Sequence, residues 1–372
     1  MLFPFLRPSL PAPEKWVHFL DLPYEHRYFS NFGPLATRLA DQMRQAYLID
    51  GYDGALCSSN TAGVVAVLQA LDVYGKKVVL PDFTFAATLQ AIFSAGAIPV
   101  VCDIDPETWE LGADSLSAAF EAHPDIAAVI HVRPFGLRRS IEATRKVCRD
   151  QGVPLLVDAA AGLSNPEEAE RFGSEDGEIE IFSLHATKVF AMGEGGFIAA
   201  PENMMGRIKA AMNFGFNSDR TYGEGQNAKL DEFRAAIGLA MLQEMPDIVK
   251  VRQQHAAFYD KVFAGYDNAL IAQQPGSCPW STYPVIFDTK VGTDTLGLFA
   301  DNSIEIKKYY WPGVLKGYTG PRPMLSVDTP VSFDLQDRCA CFPIYSDFTS
   351  DTGSLLRERV QRTMSMLEKK VS

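Results

Sequence analysis

Over the first fifty residues, proline-broken extended pieces surround one stretch, Leu35 to Tyr47, whose apolar residues return at helical spacing and predict an amphipathic helix. From Gly54 the pattern changes. Short apolar runs at Lys77 to Leu80, Ile98 to Cys102, Ala127 to Val132, Pro154 to Val157, Ile179 to Phe182 and Gly196 to Ala199 read as strands separated by stretches of helical length. Such alternation implies a largely parallel sheet with both faces covered. Asp231 to Gln243, with AAIGLAMLQ at its centre, predicts a helix that ends before Pro246. A long polar helix from about Asp247 to Phe263 would then lead into mixed strands, Tyr283 to Phe287 and Ile304 to Lys307, and a closing helix, Ser354 to Glu368. The pattern divides the chain into an N-terminal arm and helix (1–52), a large domain (53–246) and a smaller C-terminal α+β domain (247–372). Tyr309 to Asp328, rich in Tyr, Pro and Gly, is long for a connection, and long ordered loops are often functional.

Composition narrows the class. With 372 residues and 47% hydrophobic content the chain can bury a sizeable core, in keeping with two domains. A net charge of -12 argues against broad nucleic-acid binding, although a local basic pocket could still receive a phosphorylated small molecule. The six cysteines are scattered, with no CxxC pair and no His/Cys spacing that suggests zinc, so no metal is expected and a reducing compartment fits. The start lacks a signal-peptide pattern and no apolar run is long enough to span a membrane; cytoplasm is the expected location.

One lysine stands out. The strand around Ile179, Ile181 and Phe182 breaks into a polar turn, Ser183 to Lys188, followed by Gly193, Gly195 and Gly196. Active groups of α/β sheets sit at such strand ends. An amine held there, away from water, has a lowered proton affinity and can form a Schiff base with an aldehyde, for which pyridoxal phosphate is the obvious partner. The alternative is a solvated surface lysine. CSSNTAGVVAVLQAL (57–71) runs from small polar residues into a helix starting near Thr61: a phosphate cup with Ser59 and Thr61 hydroxyls, or an ordinary helix N-cap. Ser183 could donate to the same phosphate. Asp158 ends the run VPLLVD and should emerge at the same sheet edge, either to keep a pyridine nitrogen protonated or to cap a turn. Phe85 could stack on that ring or lie in the core. His185 and His131 are further acid or base candidates. Nothing supplies the residues of a hydrolase, and the glycines at 193–196 do not form the dinucleotide-binding pattern of a dehydrogenase.

Taken in order and spacing, SSNTAG (58–63), LPDFTFAATLQAI (80–92), DIDPETWEL (103–111), VDAAAG (157–162), FSLHATKVF with EGGF (182–197) and GQNAKLDEFRAAIGL (225–239) resemble the DegT/StrS-type nucleotide-sugar aminotransferases. These are fold-type-I pyridoxal phosphate enzymes. The resemblance implies that Lys188 carries the cofactor as a Schiff base, Asp158 meets the pyridine nitrogen, Phe85 stacks on the ring, and Asn60, Thr61 and Ser183 contact the phosphate. An asparagine at the position of Asn227 reaches the phosphate of the neighbouring subunit in this family, which implies a homodimer with shared sites. The arm and IKKYYWPG (306–313) resemble the family's sugar-nucleotide side, with His185, Lys307, Lys308 and Tyr309 as candidate contacts; for the lysines, a solvated basic edge is the alternative. The implied activity moves an amino group, with glutamate as the family's donor, to a 3- or 4-keto-6-deoxy sugar on a nucleotide, in amino-sugar biosynthesis. A sugar dehydratase of the same fold is the rival enzyme, though the family's known dehydratases of this sort carry histidine where this chain has Lys188. A pyridoxal phosphate-binding regulatory protein without turnover is the other alternative.

The chain departs from that pattern in four places. Ala161 replaces the usual Gln or His three residues after the aspartate, so a polar contact near the ring hydroxyl is missing or comes from elsewhere. Asn60 stands where the family has glycine before the threonine. Val314 and Leu315 occupy the place of a common histidine. Finally, HVRPFGLRRS (131–140) leaves Arg133, Arg138 and Arg139 without an assigned purpose.

Overall fold

The computed structural model describes residues 2–167, 170–219, 221–266, 269–271 and 278–371. Its large sheet contains β1 (Tyr52–Cys57), β2 (Lys77–Pro81), β3 (Ile98–Cys102), β4 (Ile126–Val132), β5 (Leu155–Asp158), β6 (Ile179–Ser183) and β7 (Gly196–Pro201). A second, antiparallel sheet is formed by β8 (Ala269–Ile271), β9 (Tyr283–Phe287), β10 (Lys307–Lys308) and β12 (Cys339–Phe342), while β11 (Leu325–Ser326) joins the first. The large sheet runs β1-β7-β6-β5-β4-β2-β3-β11. Only β7 opposes its neighbours, so every other strand delivers its carboxyl end to one rim.

Period-two alternation puts successive residues of these strands into different cores. Val79, Val100, Val129 and Val157 pack on one face, and Val78, Leu80, Val101, Ile130 and Leu156 on the other. At about 1.5–3 kcal/mol per fully buried aliphatic side chain, both faces contribute to stability. That two-sided burial is why the strands read as continuous apolar runs.

Helix Pro34–Tyr47 forms where the apolar spacing predicts it, burying Leu35, Leu39, Met43 and Tyr47 at four-residue intervals. Its amino end has no cap of its own. Instead the fully buried Glu232 accepts hydrogen bonds from the backbone N–H of Leu35 (2.6 Å) and Ala36 (3.1 Å). Gly33 leaves room for this carboxylate, since a Cβ there would meet it at 2.6 Å.

The expected helix end before Pro246 does not occur. One helix, Glu232–Phe263, runs through the proline. Asp231 caps its start by accepting from Arg234 N–H at 3.0 Å. Proline removes one helical hydrogen bond at a cost of about 3 kcal/mol, which is offset here by burial of Met245 and Val249 beside it. The carboxyl half buries Ala256, Tyr259, Val262 and Phe263 in the core of the small sheet. A single helix therefore spans both sheets.

Shorter strands also differ from the sequence pattern. The run Ile304 to Lys307 is a two-residue strand at Lys307–Lys308, with Ile304 bridging Phe3 of the arm. Strand β1 carries little apolar signal because its Gly54 is kept small by Phe197, whose ring would meet a Cβ at 2.6 Å. Strand β12, CACF, is short and made mostly of small residues. The closing helix extends over Ser350–Val371.

The long connection from Tyr309 is fastened by two carboxylates at the ends of β2 and β3. Asp82 accepts from Leu315 N–H (2.8 Å) and Gln336 Nε2 (2.8 Å). Asp103 accepts from Val331 N–H (2.9 Å), Ser332 N–H (2.8 Å) and Ser332 Oγ (2.6 Å). Together with β11 pairing on β3, these bonds hold residues 309–338 against the rim.

Glu232→Ala should lower stability by roughly 2–4 kcal/mol, because two buried N–H groups lose their acceptor at about 1–3 kcal/mol each. The urea-unfolding midpoint of purified variant and wild type measures this; an unchanged midpoint would show that the carboxylate does not hold the helix.

Candidate active site

Parallel strands concentrate polar loop residues at their carboxyl ends, because the strand bodies are apolar and covered. At this rim the loops after β1, β2, β4, β5 and β6 surround a cavity of about 440 Å³. It is lined by Ser59, Asn60, Thr61, Phe85, Asp158, Ser183, His185, Lys188 and Tyr309, all named from the sequence. Asn227, Lys307 and Lys308 are not among its lining residues.

Asp158 closes β5 and is 5% exposed. Three neutral donors hold it: Thr88 Oγ1 to Oδ2 (2.9 Å), Asn60 Nδ2 to Oδ1 (3.3 Å) and Ala160 N–H to Oδ1 (3.2 Å). Burial raises its pKa, and those donors, with Lys188 across the cavity, oppose the rise. Among the described residues no cation touches the carboxylate, so a protonated ring nitrogen would supply what it lacks.

Lys188 follows β6 through a turn in which its backbone N–H donates to His185 C=O at 2.8 Å. Its ammonium has no hydrogen-bond acceptor among the described residues. Burial lowers its pKa, and the charge of Asp158 opposes the fall. An amine with a depressed pKa and no partner is suited to attack an aldehyde carbon.

The helix Asn60–Ala70 points its amino end into the cavity. Ser59 Oγ accepts from Ala62 N–H at 3.1 Å, so this serine caps the helix as well as lining the site. The Asn60 amide is committed to Asp158 and to Ile181 C=O (3.2 Å), which turns its side chain from the expected phosphate role to the support of the carboxylate. Thr61, Ser183 and the helix end also face the cavity, and such hydroxyls and helix ends suit an anion. Close approach of this helix start to β7 requires Gly196, where a Cβ would meet Asn60 N at 2.8 Å.

Phe85 is 59% exposed and presents its ring to the cavity. His185 shares a hydrogen bond between Nδ1 and Thr187 Oγ1 (2.9 Å) and lies 3.5 Å from Glu194. His131 is buried away from the cavity, 3.4 Å from Glu110. From the arm, Phe5 reaches the site and stacks on Tyr309 with ring centroids 5.6 Å apart. Lys307 lies over the Phe5 ring, 5.3 Å from its centroid, and Lys308 pairs with Asp337 at 3.7 Å.

Thr88, Tyr310 and Phe135 escaped the sequence reading. Thr88 lies in the first turn of helix Ala86–Ser94, three residues after Phe85, which stands in extended conformation at the helix N-cap. Tyr310 stacks on Phe135 at 5.2 Å across a sequence gap no local pattern reveals.

An unpartnered amine, a buried carboxylate without a cation, an open aromatic face and a helix end for an anion together fit pyridoxal 5′-phosphate. Fold and site define a fold-type-I pyridoxal phosphate-dependent aminotransferase. The chain matches the DegT/DnrJ/EryC1/StrS aminotransferase family over residues 24–361 and belongs to it. It is 30% identical over 374 residues to Protein Rv3402c of Mycobacterium tuberculosis, covering 96% of this chain and 89% of the relative. It is 25% identical over 354 residues to the dTDP-4-amino-4,6-dideoxy-D-glucose transaminase of Shigella dysenteriae, covering 93% and 94%. The crystal structure of DesI in the presence of its TDP-sugar product superposes with a TM-score of 0.85 at 27% identity, covering 100% of this chain and 97% of that one.

Acetylation of the cofactor-free protein at a series of pH values should give Lys188 a reactivity midpoint below the ordinary lysine value of 10.5. As pH falls, its amine stays neutral after exposed lysines have taken up protons. A midpoint at or above the ordinary value would mean that burial does not depress it.

Proposed function

We propose that this aminotransferase moves an amino group from an amino acid, L-glutamate by family resemblance, to a 3- or 4-keto-6-deoxy hexose carried on a nucleotide, in amino-sugar biosynthesis for a surface polysaccharide or secondary metabolite. The observation that carries the reading is the meeting of Lys188 and Asp158 in one cavity that also opens onto the aromatic pair Phe5 and Tyr309. When bound, pyridoxal phosphate accepts the amino group and spreads the electrons released at the reacting carbon. Asp158 keeps the ring nitrogen protonated, and Phe85 covers one ring face. Thr61, Ser183 and the start of helix Asn60–Ala70 hold the phosphate. Lys188 would bind the cofactor and, when released, take the proton from the donor's α carbon and return it to the cofactor's C4′; its lowered pKa favours the neutral amine that this work needs.

The sugar nucleotide lies toward the arm, where Tyr309 and Lys307 flank Phe5 and Lys308 stands beside Trp311, 4.8 Å from the ring. His185 contacts the substrate from the opposite wall. Two facts support a homodimer with shared sites: Asn227 is exposed, and the neighbouring aromatics Phe214, Phe216 and Tyr222 are 49%, 48% and 75% exposed. Asn227, paired through its backbone with Asn213, then reaches the partner's phosphate. The names of the Shigella transaminase and of the DesI complex support a dTDP-linked sugar as the first acceptor to assay. Among the described residues no helix is long and apolar enough to cross a membrane.

Addition of glutamate to the holoenzyme should convert the cofactor absorbance to that of the pyridoxamine form, and a dTDP-linked keto-sugar should restore it. Borohydride reduction before peptide mapping should place the cofactor on Lys188, and Lys188→Ala should slow the glutamate half-reaction by about 10²–10⁴-fold. An absorbance that stays unchanged would mark a silent binding protein, and a label on another lysine would remove Lys188 from its role.

A further inference from the structure

Arg133 is a buried cation on the cavity wall with no part in the proposed function. It follows β4, is 7% exposed and lines the cavity. Its backbone N–H donates to Asp158 C=O at 3.0 Å, which fixes it on the strand next to the carboxylate. Of its guanidinium nitrogens, Nη1 donates to Arg139 C=O at 2.9 Å and lies 3.9 Å from Glu110. Nε faces Glu180 at 3.9 Å without a hydrogen bond. Nη2 has no acceptor among the described residues. A buried arginine normally satisfies its fork of donors, so a vacant nitrogen on a cavity wall points to an anionic oxygen that belongs there.

Sheet order indicates which oxygen. With Lys188 after β6 and Asp158 ending β5, the groups that would meet opposite ends of the pyridine ring come from adjacent strands. The anion donors Thr61 and Ser183 come from the β1 and β6 side. The ring carries its hydroxyl and its phosphate arm on the two carbons flanking the aldehyde carbon. The hydroxyl therefore falls on the β4 side, where Arg133 stands. On that side residue 161 is alanine and brings no polar side chain to the cavity, while the backbone behind it is packed so closely that a Cβ at Gly136 would collide with the Ala161 carbonyl.

We propose that Arg133 is a cofactor-binding residue whose Nη2 donates to the ring hydroxyl oxygen of pyridoxal phosphate and holds it as the phenolate, in place of any contact from residue 161. The inference rests on the pyridoxal phosphate reading of the site. Arg133 is faced by Glu110, Glu180 and Arg138, and shares the cavity with Asp158, Lys188, His185, Glu194, Tyr309 and Tyr310; His131 touches it only through Glu110. A cation beside the phenolate disfavours a further proton on the nitrogen shared by cofactor and Lys188, so it lowers the pH at which that chromophore loses its proton.

Two measurements test this. Wild-type protein should bind pyridoxal phosphate at least about tenfold more tightly than 3-deoxypyridoxal phosphate, which lacks the oxygen; equal binding overturns the proposal without need of a variant. Reconstituted Arg133→Gln should lose that preference and show its visible absorbance midpoint raised by about one unit, while Arg133→Lys, which keeps the charge, should shift less. An unmoved midpoint with a raised glutamate KM would assign the guanidinium to the donor's carboxylate and overturn the proposal. Wild-type protein that yields no borohydride-trapped label on Lys188 would instead overturn the reading beneath it, whereas normal labelling with equal binding of both rings would overturn Arg133 alone.

Discussion

The site depends on a carboxylate kept where water cannot reach it. Asp158 is buried at the end of β5 and meets only neutral donors, from Thr88, Asn60 and Ala160. Each donor comes from a different piece of chain: the helix after β2, the helix after β1 and the turn after β5. Isolated burial of such a charge is costly, and a cationic ring nitrogen in hydrogen-bond contact would offset that cost. Burial raises the pKa of Asp158 and lowers that of Lys188, so one cavity shifts both groups toward their neutral forms. Their mutual attraction keeps each from the full shift that burial alone would impose.

The rim is assembled by long-range ties. Asp82 and Asp103, at the ends of β2 and β3, hold the segment that carries Tyr309 and Tyr310 against the mouth. Helix Glu232–Phe263 contributes at both ends: its first residue caps the helix Pro34–Tyr47, and its last turns enter the small-sheet core. The arm adds Phe5 to the same wall through the Phe3–Ile304 bridge. Beside the cavity the buried Arg133 lies 3.9 Å from both Glu110 and Glu180, too far for strong pairing, and His131 lies 3.4 Å from Glu110. A cation held between two acids at such distances can still turn a free donor toward the cavity.

Local pattern alone determined much of this protein. The strands β2 to β7 are legible because burial on both faces demands apolar runs; Lys188, Asp158 and Phe85 stand out because each follows or ends such a run, and Thr61 because small polar residues there run into a helix. The small residues of β1 and β12 and the two-residue β10 and β11 lack that signal, since their places depend on neighbours distant in the chain. Pro246 predicts a helix end by its missing N–H, yet burial on both sides of it outweighs one lost hydrogen bond. What only the tertiary structure decided is partnership. Asn60 supports Asp158 rather than offering its amide to an anion, Lys307 and Lys308 stand outside the cavity, and Arg133 joins its wall. In each case the deciding contact crosses tens to hundreds of residues, and spacing along the chain carries no record of such distances.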